Sequence, residues 1–237
     1  MEISPVAAPV IIHPRGILFD MDGVLVSSIG SVERTWEKWA VARGVDPELA
    51  IRMAHGRRAI ETVRELRPDL NDLEELRWLE EMEVADKTGV SMLDGVRPIL
   101  ESLPQKYWTV VTSATDLIAR SRLQHGGIPV PARIVSAEDV QLGKPHPEPY
   151  RMGAEILGLA PKDCLVIEDS ASGAQAGQAA GCTVLATLFS HSIESLGYAD
   201  YIVRSLEDVQ VRVSEDTGAP LEVRFTPVAR GLPEAAR

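Results

Sequence analysis

Residues 16–25 read GILFDMDGVL, and this stretch decides the fold. Gly16–Asp20 is a short apolar run that ends in an acid, the pattern of a buried strand whose carboxyl end presents a side chain to solvent. The period then changes. From Ile29 to Gly44 the apolar residues Val32, Trp36, Trp39 and Ala40 recur at i, i+4, i+7 and i+8, which is helical spacing, and Gly44 supplies a stop. Further helical stretches are expected at 47–54, 58–67 and 72–87, the last with Leu73, Leu76 and Leu79 on one face. No strand pattern interrupts 29–93, so this block reads as an all-helical insert.

Downstream of Asp94 strands and helices alternate. A helix near 95–103 precedes a strand at Trp108–Thr112, and a helix near 116–125 precedes a strand at Ile134–Ser136. The loop GKPHPEP then leads to a helix near 148–157. After it come a strand at Cys164–Glu168, an Ala/Gly-rich helix near 171–180 and a strand at Thr183–Ala186. Such alternation indicates an α/β fold, a parallel sheet covered by helices on both faces. GILFD belongs to that sheet, so the expected core domain is discontinuous, residues 1–28 with 94–237, and 29–93 forms an inserted helical domain. In the tail, Val209, Val211 and Val213 alternate with polar residues, as do Leu221, Val223 and Phe225, which predicts a β-hairpin extension over 209–226.

The chain has 237 residues, enough for one core domain plus one insert. Lys and Arg number 24 against 35 Asp and Glu, a net charge of -11. That balance excludes nucleic acid as a partner and anchoring on anionic lipid, since both need clustered bases. Between Glu61 and Val84 stand nine acids against three bases, assigned to the solvated faces of the inserted helices. Cys164 and Cys182 are too few for a disulfide framework and lie in apolar runs, so buried thiols in a reducing compartment are expected. The N-terminal MEISPVAAPVII lacks the basic start of a signal peptide, and no apolar run approaches the ~20 residues of a membrane span. The expectation is a cytoplasmic protein, a monomer or weak homodimer.

Chemistry gathers at strand ends, where open parallel sheets bind ligands. Asp20 and Asp22 lie in FDMDGVL, Ser113 in VVTSAT, Lys144 in GKPHPEP, and Glu168 and Asp169 in VIEDS. A carboxylate can attack phosphorus and carry an aspartyl-phosphate. Anion approaching anion needs a hard divalent cation held by oxygens, which Asp20, Asp22 and Asp169 can supply. Lys144 and the Ser113 hydroxyl suit the phosphoryl oxygens, where transition-state charge collects. Asp22, two residues beyond Asp20, can protonate a leaving alcohol and then activate water. Each piece alone has an ordinary reading as a solvated loop or a helix cap; together and in this order they point to phosphoryl transfer.

The sequence resembles the haloacid dehalogenase superfamily, in the branch with a helical cap inserted just after the first motif. FDMDGVL, VVTSAT, GKPHPEPY and VIEDSASGAQAGQAAG resemble its four motifs in order, and the similarity runs from about residue 15 to 208. The resemblance implies a Rossmann-like core with a helical cap. It makes Asp20 the nucleophile, Asp22 the general acid/base, and Lys144 the phosphate-binding lysine. Ser113 is the hydroxyl of the second motif, with Thr112 taking its place if the strand register slips by one. Mg²⁺ would sit between the Asp20 carboxylate, the Asp22 backbone carbonyl and Asp169, with Glu168 a further candidate ligand. The wording of KYWTVVTSAT and GKPHPEPY is similar to members that hydrolyse sugar and polyol phosphates. The implied function is a Mg²⁺-dependent phosphatase of small phosphorylated metabolites, namely sugar, polyol or hydroxy-acid phosphates. Many relatives carry V-D-S after the first motif where this chain reads VSS at Val26–Ser28.

Other chemistries fit less well. Dehalogenases of the superfamily lack the second Asp, and its phosphonate hydrolases place an imine-forming Lys in the cap. The cap loop AHGRRAI offers Arg57 and Arg58, which cannot form an imine. The phosphomutase relatives carry a His early in the first cap helix, absent from SIGSVERTW; a sugar phosphomutase is the runner-up. A non-catalytic phospho-Asp regulator would place its acids in another order along about half this length. Arg57 is a candidate substrate-binding residue of the cap, with Arg58 and His55 weighed lower as helix-start and turn residues. His146 is expected to orient the loop that carries Lys144.

Overall fold

The structure is a computed structural model and describes residues 8–214, 216 and 218–228. The outermost parts of the expected core segments, 1–7 and 229–237, lie outside the described residues. The chain opens with β1 (Val10–Ile12) and β2 (Gly16–Phe19). β2 is buried throughout, with Ile17 and Phe19 in one hydrophobic cluster and Leu18 in another, the two-residue alternation of a strand between two helical layers. β3 (Val26–Ser27) leads into α1 (Ile29–Arg43), α2 (Pro47–Ala54), α3 (Ala59–Leu66) and α4 (Asp72–Ala85). β4 (Ser91–Met92) returns the chain and pairs antiparallel with β3, so the helical block leaves and rejoins the sheet over a short ribbon. The expectation of no strand within 29–93 is corrected there, since a two-residue strand has no period to detect.

Next come α5 (Val96–Ser102), β5 (Trp108–Val110), α6 (Asp116–His125), α7 (Glu148–Ile156), β6 (Cys164–Glu168), α8 (Ala171–Ala180), β7 (Thr183–Thr187) and β8 (Tyr201–Val203). Among the described residues the sheet runs β5-β2-β6-β7-β8, all parallel. Residues of α5 and α6 enter the Ile17–Phe19 cluster, and residues of α7 and α8 the Leu18 cluster. The α/β architecture is therefore the expected one. With β2 between β5 and β6, the parallel register brings the carboxyl ends of all three strands to one edge. The strand expected at Ile134–Ser136 is reduced to a single bridge, Val111 to Val135. Side chains take the neighbouring backbone groups: Thr109 Oγ1 donates to the Arg133 carbonyl, and Asp139 Oδ2 accepts from the Ser136 N–H.

β9 (Val209–Arg212) and β10 (Glu222–Phe225) pair antiparallel, and β1 adds to β10 as a third strand. This small sheet puts Val211, Val223 and Phe225 into the α5–α6 side of the core. The helical block has its own core of Trp36, Trp39, Ala50, Val63 and Leu79, and Trp36 meets Trp39 edge to face. Truncating a buried Trp of this kind costs about 3–5 kcal/mol. The expected leucine face of α4 is corrected: Leu73 is 58% exposed, and the buried positions are Glu75, Leu79 and Glu83. Two acids thus occupy the inward stripe, where Glu75 accepts from Trp39 Nε1 and from Arg43. Cys164 and Cys182 are buried free thiols, both pushed up to about 12 by burial. No helix among the described residues is long and apolar enough to cross a membrane.

Candidate active site

Asp20 sits one residue beyond β2, its N–H on the Ile167 carbonyl of β6, and its side chain is buried. Lys144 reaches it from the loop before α7. Nζ donates to Asp20 Oδ1 at 2.7 Å, to Glu168 Oε1 at 2.7 Å and to the Val111 carbonyl at 3.1 Å, which uses all three ammonium protons. Glu168, the last residue of β6, is fully buried. Its Oε1 also accepts from Tyr150 O–H at 2.6 Å, and its Oε2 accepts from the N–H groups of Asp169 and Ser170 and from Ser170 Oγ. Such a carboxylate has no lone-pair direction left over. A Cβ at Gly173 would lie 1.6 Å from Glu168 Oε1, so the glycine of the Ala-rich helix makes room for this carboxylate, whereas Gly177 serves packing against Val184 and Val166.

Burial pushes Asp20 up to about 7, against the pull of Lys144 and with a further push from Glu168. Asp169 is raised well above the usual range by burial and by Glu168 and Asp20 beside it. Burial opposes ionisation of Glu168 too, but Lys144, Tyr150 and the Ser170 N–H outweigh it and its pKa is lowered. Lys144 is held protonated, because Asp20 and Glu168 outweigh the burial that opposes its charge. One cation does not offset three buried acids, so Asp20 and Asp169 hold their protons more tightly than free carboxyls do. Oxygens of Asp20, Glu168 and Asp169 lie within 4.8 Å of one another, a hard-oxygen set suited to a divalent cation. Gly23, at φ +81°, closes the same loop; a Cβ there would fall 1.9 Å from Asp169 Oδ2. Asp169 is held by Ser190 Oγ at 2.5 Å, and Ser190 in turn meets His191 Nδ1 at 2.6 Å.

Asp22 lines the same cavity and has partners of its own. Ser28 Oγ donates to Oδ1 at 2.5 Å, and Arg122 Nη1 of α6 lies 2.8 Å from both oxygens. Arg122 Nη2 donates to Glu83 of α4 at 2.5 Å. Arg122, Glu83 and Ser190 are absent from the sequence reading, and Ser28 enters it only as the end of VSS. A signal for Arg122 did exist, since Ala119, Arg122 and Leu123 share the buried face of α6.

Of the second-motif pair, Thr112 Oγ1 accepts from the Ala114 N–H at 3.0 Å, and Ser113 Oγ donates to the Gly56 carbonyl at 3.4 Å. Both line the cavity that holds Asp20, Asp22, Lys144 and Asp169. Its far wall comes from the helical block, through Ile29, Val32, Trp36, His55 and Arg57. Arg57 pairs with Glu65 at 2.9 Å. The ranking of Arg58 as a solvated residue is corrected. It is 8% exposed and donates to the carbonyls of Val140 at 2.8 Å, Gln141 at 2.9 Å and Ala137 at 3.4 Å, and also to Glu61. Arg58 thereby binds the start of α3 to the loop that leads to Lys144. His146 Nδ1 accepts from the Glu148 N–H inside that loop.

The chain is similar to known proteins. The family described as haloacid dehalogenase-like hydrolase fits residues 14–181. Hexitol phosphatase A of Escherichia coli (strain K12) is 38% identical over 202 residues, covering 83% of this chain and 94% of that protein. Glycerol-1-phosphate phosphohydrolase 2 of Saccharomyces cerevisiae is 31% identical over 218 residues, covering 86% of this chain and 87% of that one. Among solved structures, a hydrolase from Pseudomonas syringae superposes with a TM-score of 0.73 at 21% identity, covering 81% of this chain and 94% of the other. That likeness speaks for the fold.

Proposed function

The chain belongs to the haloacid dehalogenase-like hydrolase family, and from that premise we propose a Mg²⁺-dependent phosphatase of small sugar and polyol phosphates that works through a phosphorylated Asp20. It is a phosphoric monoester hydrolase, as the named phosphatases among its relatives are. The single observation that carries the mechanism is the placement of Asp20: buried, with Oδ1 on Lys144 and its other oxygen without a hydrogen bond among the described residues. Residues 29–93 are read as the cap, and 1–28 with 94–237 as the core.

Asp20 Oδ2 attacks phosphorus, forming the P–O bond as the bond to the leaving oxygen breaks. Asp22 gives its proton to that oxygen, then takes one from the water that attacks phosphorus and frees Asp20. Lys144, exchanging its long bond to the Val111 carbonyl, and the Ser113 hydroxyl bind phosphoryl oxygens, and Arg57 reaches the substrate from the cap. The acid excess beside Asp20 supports a cation held by Asp20, the Asp22 carbonyl and Asp169. When bound, Mg²⁺ would offset the charge that builds on the phosphoryl oxygens. Glu168 serves better as the partner of Lys144, since its lone pairs are taken. Phosphate release over a panel of phosphorylated sugars, polyols and hydroxy acids tests this reading. Release that needs Mg²⁺, stops with a chelator and favours the sugars and polyols is expected; metal-independent release, or none over the whole panel, contradicts it.

A further inference from the structure

Tyr150 ends the stretch GKPHPEPY that also carries Lys144. It belongs to the apolar cluster of Leu18, Val111, Val166 and Ala174, and its side chain is fully buried. A hydroxyl in such a place is costly unless it is hydrogen-bonded, and a Phe would fill the same space without it. Among the described residues the hydroxyl has one hydrogen bond, donated to Glu168 Oε1 at 2.6 Å. That oxygen also accepts from Lys144 Nζ, at 2.7 Å. Nζ in turn stands over the Tyr150 ring, 5.0 Å from its centroid, within reach of a cation–π attraction. One buried side chain thus touches both members of the Lys144–Glu168 pair.

Nζ lies at equal distance from two carboxylates, 2.7 Å from Asp20 Oδ1 and 2.7 Å from Glu168 Oε1. The two oxygens differ in their company. Asp20 Oδ1 has no second donor among the described residues, whereas Glu168 Oε1 is shared between Nζ and the Tyr150 hydroxyl. A second donor draws on the charge of that oxygen and weakens its pull on the first. Resting on the phosphatase reading, we propose that Tyr150 is a positioning residue: by sharing Glu168 Oε1, its hydroxyl keeps the Lys144 ammonium forward, on Asp20 and on the phosphoryl group that Asp20 attacks. Without the hydroxyl, Glu168 turns the whole charge of Oε1 on Nζ and draws the ammonium back from Asp20. The proton that rests on the Val111 carbonyl at 3.1 Å then no longer reaches a phosphoryl oxygen. Tyr150 acts at the phosphoryl group alone, so its effect is blind to the alcohol.

The test compares wild type with Tyr150→Phe, which keeps the ring, its packing and its face toward Nζ and removes only the hydroxyl. Two quantities are read with Mg²⁺ present: the Kd of inorganic phosphate by titration calorimetry, and kcat for a polyol phosphate and for hexyl phosphate, whose alcohol has no further hydroxyls. The Kd is expected to rise about tenfold and kcat to fall about tenfold on both substrates, as the loss of one hydrogen bond to a charged group implies. A merely structural Tyr150 would lower the melting temperature and leave Kd and kcat of the folded enzyme as they were. An unchanged Kd for phosphate, or a loss of kcat on one substrate only, overturns the role of Tyr150, while turnover by wild type upholds the phosphatase. Wild type that releases phosphate from neither substrate overturns the phosphatase reading and the role of Tyr150 with it.

Discussion

The two ends of the cavity are built on opposite rules. At the Asp20 end, Lys144, Glu168, Tyr150 and Ser170 satisfy one another, and Glu168 alone accepts five hydrogen bonds. At the Asp22 end, Arg122 is shared between a core acid and a cap acid, and polar atoms stay unpaired. A closed network in low dielectric fixes its atoms and suits a reaction that never varies. The other spans two parts of the chain, with Arg122 of α6 held to Asp22 after β2 and to Glu83 of α4. The first end is proposed for the phosphoryl group and the second for the alcohol.

This contrast can be broken by substitution, and the largest effect belongs to the closed end. Lys144→Met leaves Asp20 and Glu168 buried without their cation, so turnover should fall by about 10³-fold and stability by about 3–5 kcal/mol. The loss should be the same for every phosphomonoester, as steady-state kinetics over several leaving groups would show; a loss that varies with the alcohol would place Lys144 at the wrong end. Ser190→Ala comes next. It frees the Asp169 carboxylate, and the Mg²⁺ concentration for half-maximal activity should rise about 10- to 100-fold, with kcat restored at saturating metal. Metal titration of activity checks this, and an unchanged midpoint would contradict it.

The smallest effect sharpens the contrast from the cap side. Arg58→Ala removes the bonds from the start of α3 to the carbonyls of 137–141. Each lost bond that leaves a buried acceptor unpaired costs about 1–3 kcal/mol at most. kcat/KM should drop about tenfold, and amide hydrogen exchange across 137–143 should quicken. Unaltered exchange there would show that the cap does not brace the loop of Lys144.

Much of the closed end was legible in the sequence, because its residues stand where apolar runs stop: Asp20 after GILF, Glu168 and Asp169 after CLVI. Apolar runs also located β2, β6, β7 and most helices, and the alternation over 209–226 located two strands that do pair. The open end and the brace on the loop of Lys144 were not legible. Arg122, Glu83 and Arg58 are charged residues on helices or at their starts, where the ordinary reading is a solvated face. Their burial comes from partners 39 to 100 residues away in sequence, a separation that no local period encodes. Leu73 erred in the opposite sense: an apolar residue at helical spacing, yet exposed because Glu75 and Glu83 take the inward stripe of α4. The short β1, β3 and β4 lie below the length at which alternation can be read.

The central claim is that Asp20 carries the phosphoryl group. Acid quenching of wild type during turnover of a phosphorylated polyol, followed by mass mapping of peptides, tests it most directly, with Asp20→Asn as the paired control. One phosphoryl group on the peptide that contains Asp20, absent from the Asp20→Asn variant together with at least about 10⁴-fold of its turnover, is the expected result. Label on another residue, or near-normal phosphate release by Asp20→Asn, would contradict the account.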